Sequence, residues 1–319
     1  MRRLRGAVSA IAVSVMMLSL CASSGNAAAP TAVEDLTGDF LRFFDDTAAL
    51  PEAERIAAFK ARVAARYPAF YGIERFEGRV TQDAQDRKIA RALERFPSIR
   101  AAYTAKAAAF SQSLAGNMAS FQAAFPDFVL ERPIYLLHSL GEMDGGTRDL
   151  GGAPQLIFGA DGMAMYHQGW RSESAFFLHE LFHIHHRPRF GECGAVWCML
   201  WIEGVASHVA SKLVPGANEA ELLLDFPVGT VGAVRANLPA ALSQAKSVLD
   251  SEDMKTLTAL FSSGADDTGL PPRRGYLLGF LIAQEIARDR PLTELANLPR
   301  DEVRTLVEQA IDRRLSQPR

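Results

Sequence analysis

Cysteine is scarce in this chain. Three occur in 319 residues, and one of them, Cys21, falls in an N-terminal stretch that reads as a targeting segment. The remaining two, Cys193 and Cys198, are too few to hold a metal ion unaided. An even count in an exported chain favours a disulfide closing the short loop between them, with free buried thiols the plainer alternative. Charge of one sign is also lacking. Thirty-four Lys and Arg stand against 37 Asp and Glu, a net −3 with histidine neutral. That balance gives no footprint for nucleic acid and no drive toward acidic membranes. Past residue 20 no apolar run is long enough and free enough of charge to span a bilayer. No internal repeat or low-complexity linker is evident.

The N-terminus has the three parts of a signal peptide. Arg2, Arg3 and Arg5 are basic, Ala7 to Leu20 is apolar but short, and Gly25-Asn26-Ala27 offers small residues to a signal peptidase. Cleavage is expected after Ala27, giving a periplasmic or secreted protein. Lipid attachment at Cys21 is disfavoured because Leu20 before it is large. The mature chain is long enough for a sizeable core.

The remainder divides by pattern into an N-terminal helical region (28–130), a central core (131–216) and a C-terminal helical region (217–319). From Val33 to Phe128 the spacing is helical. Phe40, Leu41, Phe43 and Phe44 cluster, and Ile56, Phe59, Val63 and Tyr67 recur before Pro68. Ile89, Leu93 and Phe96 precede Pro97, and Tyr103, Phe110, Leu114, Met118 and Phe121 form the stripe of an Ala-rich helix over Ser98–Ala124. Ile134 to Leu137 is β-prone, and the Gly-rich stretch 141–152 reads as a loop. Asp161-Gly162 between Leu156–Phe158 and Met163–Tyr166 predicts a hairpin. Ser172 is the expected N-cap of a following helix that ends near His186 ahead of Pro188. A second helix ends before Pro215-Gly216, and Tyr276 to Arg288 and Asp301 to Leu315 are the clearest later helices.

Chemistry concentrates in His179-Glu180-Leu181-Phe182-His183. Histidines at i and i+4 share one helix face, so both rings can reach one metal ion. With seven histidines in the chain, that pairing around a glutamate is rarely accidental. Glu180 stands beside them as a general base for a metal-activated water. Glu203, twenty positions on in Trp201-Ile202-Glu203-Gly204-Val205-Ala206-Ser207, supplies a third ligand from a second helix rich in small residues. Three protein ligands make an open, catalytic type of zinc site.

The combination of His179, Glu180, His183 and Glu203 resembles the gluzincin zinc metallopeptidases, which include the thermolysin-like enzymes. The order of strand, hairpin, motif helix and Glu-Gly helix is similar to predicted zinc-dependent proteases of bacterial envelopes. The resemblance covers about Pro133 to Leu213. It implies an α+β, helix-dominated fold with a zincin-like core, a small sheet and a two-helix metal site. It also implies one zinc ion per chain, held by His179, His183 and Glu203, with Glu180 as base. A sheet edge would hold an extended peptide or protein substrate, with Met163 to Tyr166 the expected edge strand. The thermolysin-like pattern has an Asp where this chain has Ser207, so a hydroxyl would orient a ligand histidine here. Such enzymes take an oxyanion donor from a late helix, a role that Tyr276 fits between Gly275 and Gly279, with Tyr166 and His208 weaker candidates. His186 reads as a solvated helix end, with lining the cleft or binding substrate as the alternative, His185 points elsewhere, and His138 and His167 read as exposed or strand-edge residues. Two other functions stay open: a zinc hydrolase of a non-protein amide such as cell-wall peptide, and an inactive metal- or peptide-binding protein. Retention of Glu180 argues against the second.

Overall fold

The computed structural model describes residues 33–262 and 266–316. The segment 1–27, with its expected cleavage point and Cys21, lies outside them. Helices dominate the described residues, accompanied by one four-stranded sheet, so the helix-rich α+β expectation holds.

The sheet is built from β1 (Val33–Asp35), β2 (Ile134–Leu137), β3 (Gly145–Leu150) and β4 (Ala153–Gly159), in the spatial order β1-β2-β4-β3. β1 runs parallel to β2, and β2 parallel to β4. Only β3 is antiparallel, and it forms an outer edge. The continuous apolar run Leu156-Ile157-Phe158 is buried, as an interior strand covered on both faces requires. Val33 therefore opens a strand rather than a helix, and part of the Gly-rich stretch expected as a loop is β3. The hairpin turn is at Gly151-Gly152, with φ of 63° and 79°. Such φ values suit the tight two-residue turns that match strand twist.

The expected turn at Asp161-Gly162 is instead inside a helix. Along the chain come α1 (Thr37–Asp46), α2 (Glu52–Arg62), α3 (Pro68–Tyr71) and α4 (Gln82–Ala124), then α5 (Ala160–Tyr166) directly after β4. Met163 to Tyr166 is thus helical and forms no sheet edge. Both residues of the dipeptide have other duties. The buried Asp161 carboxylate accepts hydrogen bonds from the Ser139 and Gly141 amides, at 2.6 and 2.7 Å, and from Ser139 Oγ at 3.0 Å. Any side chain at Gly162 would collide with the backbone of Met143 and Asp144. Here glycine serves close chain approach rather than a reversal.

Helix α4 runs unbroken through Pro97, where a break was expected. Phe96, Tyr103, Phe110 and Phe121 are fully buried along it. That burial spans both sides of Pro97 and outweighs the one hydrogen bond it forfeits. The motif helix α6 (Ser174–Phe190) likewise carries Pro188 inside its last turn and ends at Gly191, φ 80°. At its start Glu173, not Ser172, is the capping residue. Ser172 Oγ accepts from the Ser174 amide at 3.0 Å.

Helix α7 (Val196–Leu213) follows after a short connection that the Cys193–Cys198 disulfide closes, with Cα atoms 6.0 Å apart. The chain then adds α8 (Thr230–Ala236), α9 (Leu238–Ser247), α10 (Met254–Phe261), α11 (Arg274–Ile286), α12 (Leu292–Ala296) and α13 (Arg300–Ser316). α6 and α11 both lie against α7, while α4 backs α6. This arrangement places the helix with Glu203 between the helix with the histidines and the helix with Tyr276.

Candidate metal centre

Helix α6 is buried nearly all round, with Phe176, Phe177, Leu178, Leu181 and Phe182 each almost wholly enclosed. That enclosure fixes the helix in rotation, and so fixes where its polar residues point. His179 and His183 direct their Nε2 atoms to within 2.9 Å of each other. Glu203 Oε2 enters from α7, 3.2 Å from His179 Nε2 and 3.6 Å from His183 Nε2. One ligand atom from each of the three residues lies within 4.8 Å of the others, a group that can hold a metal ion.

Ser207 follows Glu203 by one helical turn and puts Oγ 3.3 Å from His179 Nδ1. With its proton on Nδ1, His179 donates to this hydroxyl. Its Nε2 lone pair is then left toward Glu203 and His183, the tautomer that ligation needs.

The charges are arranged around the same point. Burial acts against a charged Glu203, yet the His183 and His179 rings outweigh it and hold its carboxyl far below the ordinary value. Burial likewise disfavours a charged His183, but Glu203 overcomes it and raises that histidine's pKa. His179, more completely enclosed, is shifted down by burial and by His183. Glu180 is pushed up to about 7, first by burial; His183 opposes the rise, and the negative charges of Glu203 and Asp144 add to it. A carboxyl near neutrality can both take and return a proton.

These residues line a cleft of about 1050 Å³. One wall is β3: a Cβ at Gly146 would lie 3.8 Å from Glu180 Oε2, so the outer strand passes directly by the glutamate. The opposite wall carries Tyr276 and Arg273 from the start of α11, and the segment with Phe226, Pro227 and Val228. Tyr276 is reached by close helix contact. A side chain at Gly204 would strike the backbone of Gly279, and one at Gly275 would meet Leu260 O at 2.8 Å. Its phenol pKa is raised, first by burial and then by the Glu203 charge. Tyr166, the weaker donor candidate, lies at the mouth, 40% exposed, edge-on to Phe226 at 5.5 Å between ring centres.

The other histidines correct the sequence reading. His186 is no solvated helix end: it is buried on the cleft wall, stacked between Phe182 and Phe190 at 5.2 and 4.9 Å, and burial pushes its pKa down to about 3. His138 and His167 are not exposed. His138 stacks on Phe40 at 3.9 Å behind the sheet, and His167 on Trp170 at 3.6 Å. The partner of His138 is distant in sequence, that of His167 only three residues away. His185 does point elsewhere, into Phe121, Phe125 and Phe128. His208 is buried near Phe280 and is not among the cleft-lining residues.

Sequence reasoning missed Asp144 and Arg273. Asp144 lines the cleft at the head of β3, with Oδ2 3.2 Å from His167 Nε2. It sits within the Gly-rich stretch read as a loop, and nothing in its spacing ties it to a histidine twenty-three positions on. Comparison of the chain with protein-family models finds no match, and comparisons with curated proteins and with solved structures find none either.

Proposed function

We propose that this chain is an exported zinc-dependent metallopeptidase. The observation that carries the reading is the convergence of His179 Nε2, His183 Nε2 and Glu203 Oε2 beside a buried Glu180 in an open cleft. The donor set suits zinc: ligands about 2.1 Å from a tetrahedral ion sit about 3.4 Å apart, against 2.9, 3.2 and 3.6 Å between these atoms. A bound zinc ion would supply Lewis-acid activation of water and of the scissile carbonyl.

The residues divide the remaining work. Glu180 accepts the proton of the attacking water and passes it to the leaving amine, a transfer that its raised pKa favours. Tyr276, kept protonated, donates to the oxygen on which charge develops. Ser207 holds the His179 ring in its ligating orientation. The outer edge of β3, rather than the expected Met163 to Tyr166, offers main-chain groups to an extended peptide laid along the cleft. The disulfide agrees with an oxidising destination outside the cytoplasm, as cleavage after Ala27 would give.

Metal analysis of the mature protein, together with peptide-library turnover by the unsubstituted protein and by Glu180→Gln, tests the proposal. One zinc per chain and turnover lost in Glu180→Gln are expected. Absence of metal, or equal turnover by both proteins, would refute it.

A further inference from the structure

Three arginines line the cleft, and they are not equivalent. Arg187 pairs with Asp149 and Glu192, at 3.0 and 2.6 Å. Arg148 lies 3.5 Å from Glu142. Arg273 has no carboxylate within 4.0 Å among the described residues, and the segments 1–32, 263–265 and 317–319 contain no Asp or Glu. The nearby acids are engaged. Asp225 accepts from the Gly229 and Val231 amides at 3.0 and 2.9 Å, Asp266 pairs with Arg274, and Glu203 lies between the two histidines.

The Arg273 guanidinium is instead held between rings, 4.3 Å from the centre of Tyr276 and 5.2 Å from that of Phe226. Its Nε is buried with no hydrogen-bond partner, and Nη1 makes only a long bond, 3.4 Å, to Phe261 O. Its backbone has φ 57°, a left-handed conformation unusual for a residue with a side chain. A strained backbone, an enclosed donor without an acceptor and a cation without a counter-ion coincide on one side chain facing the cleft. Lying between two rings, the planar guanidinium is already directed, which limits the freedom lost on binding.

From this we propose that Arg273 receives a substrate carboxylate, selecting peptides with a negative charge on the Tyr276 side of the cleft. The charge comes either from a free C-terminus or from an acidic side chain. Tyr166, Phe226 and Val228, all exposed at the mouth, suit an apolar residue beside it. The proposal rests on the peptidase reading for its substrate class but not for its test.

The test is binding. Zinc-loaded Glu180→Gln protein is titrated with a fluorescent apolar pentapeptide as free acid and as C-terminal amide. A second pair of amidated peptides carries Glu or Gln in place of one apolar residue. Each titration is repeated on metal-stripped protein, where a carboxylate has no ion to bind. A charge-assisted contact of this kind predicts about 10- to 100-fold tighter binding of the charged member. The preference should vanish on adding Arg273→Gln or Arg273→Met and survive in part in Arg273→Lys. Preference for the free acid identifies a terminal carboxylate, and preference for Glu over Gln an acidic side chain. Equal affinities within both pairs, no binding of any peptide, or a preference that persists without Arg273 would overturn the proposal. The first comparison needs no Arg273 variant, so a variant that fails to fold does not decide the matter. Library hydrolysis without any acid preference would leave the peptidase reading standing alone; acid-selective binding without hydrolysis would do the reverse.

Discussion

Gly204 and Gly279 lie backbone to backbone: a side chain at Gly204 would strike the Gly279 carbonyl, and one at Gly279 would strike the Leu200 carbonyl one turn before Gly204. Gly204 directly follows the proposed ligand Glu203, and Gly279 follows Tyr276 by three residues. The distance between the candidate metal centre and the Tyr276 wall of the cleft is therefore set by two absent side chains. Gly204→Ala is expected to force α7 and α11 apart. Overpacking of this kind costs about 1–3 kcal/mol, seen as a lowered melting temperature. Peptide turnover should fall further than the stability loss explains, because Tyr276 moves with α11. An unchanged melting temperature would show that the two helices have slack.

Metal binding should depend unequally on the residues near the ion. His179→Ala or His183→Ala should remove most bound zinc. Ser207→Ala should keep the site but loosen it by about 10- to 100-fold, the usual effect of losing a group that orients a ligand histidine. Competition with a chromophoric chelator measures each. Full affinity in Ser207→Ala would mean that the 3.3 Å contact with His179 contributes nothing.

Glu180→Gln separates holding the metal from using it. The amide is nearly isosteric but accepts no proton, so zinc content should stay at one equivalent. The rate of peptide hydrolysis should fall by about 10²–10⁴-fold. Zinc content and turnover measured on one preparation decide it.

Stability should fall in mild acid. Burial, reinforced by the Arg189 charge, pushes the His185 pKa down to about 4, while an unfolded chain has it near 6.5. Between these values the unfolded state binds more protons than the folded one. Stability is therefore fully present above about pH 6.5 and is progressively lost as pH falls toward 4. Urea midpoints across that range should shift less in His185→Leu than in the unsubstituted protein. Parallel curves for the two would exclude His185 as a source of the acid sensitivity.

Thiol titration of the unfolded, non-reduced mature protein should find no free cysteine. Closing so short a loop restricts the unfolded chain by about 2 kcal/mol. A Cys193→Ser, Cys198→Ser double variant should lose stability of that order. Two titratable thiols in protein recovered from an oxidising compartment would contradict the bridge.

What the sequence revealed and what it hid follow from the range of the interactions involved. The i, i+4 histidines, Glu203 on the next helix and the cysteine pair are all local, so spacing alone was enough to find them. Helices α7, α11 and α13 were likewise marked by their own apolar periodicity. Most of the failures were non-local. Asp161-Gly162 has the composition of a turn, but Asp161 is bonded to Ser139 and Gly141, and Gly162 makes room for Met143. Pro97 and Pro188 persist inside helices because burial on either side holds those helices together. His138 was mistaken for a surface residue because the distant Phe40 conceals it, whereas His167 and His186 are covered by the near neighbours Trp170 and Phe190. Arg273 was passed over because a missing counter-ion is visible only once every neighbouring acid has been located.

The short connection between α6 and α7 also bears on how the chain assembles. All three proposed metal donors lie within residues 179–203, on two helices joined by a few residues, whereas β1 must find β2 by pairing Val33 with Ile134. Closing a short loop is entropically cheaper and faster than closing a long one. The helical hairpin with its donors can therefore come together before the sheet that later flanks it. An ion captured at that stage would act as a template, drawing the rest of the polypeptide onto a pre-shaped nucleus.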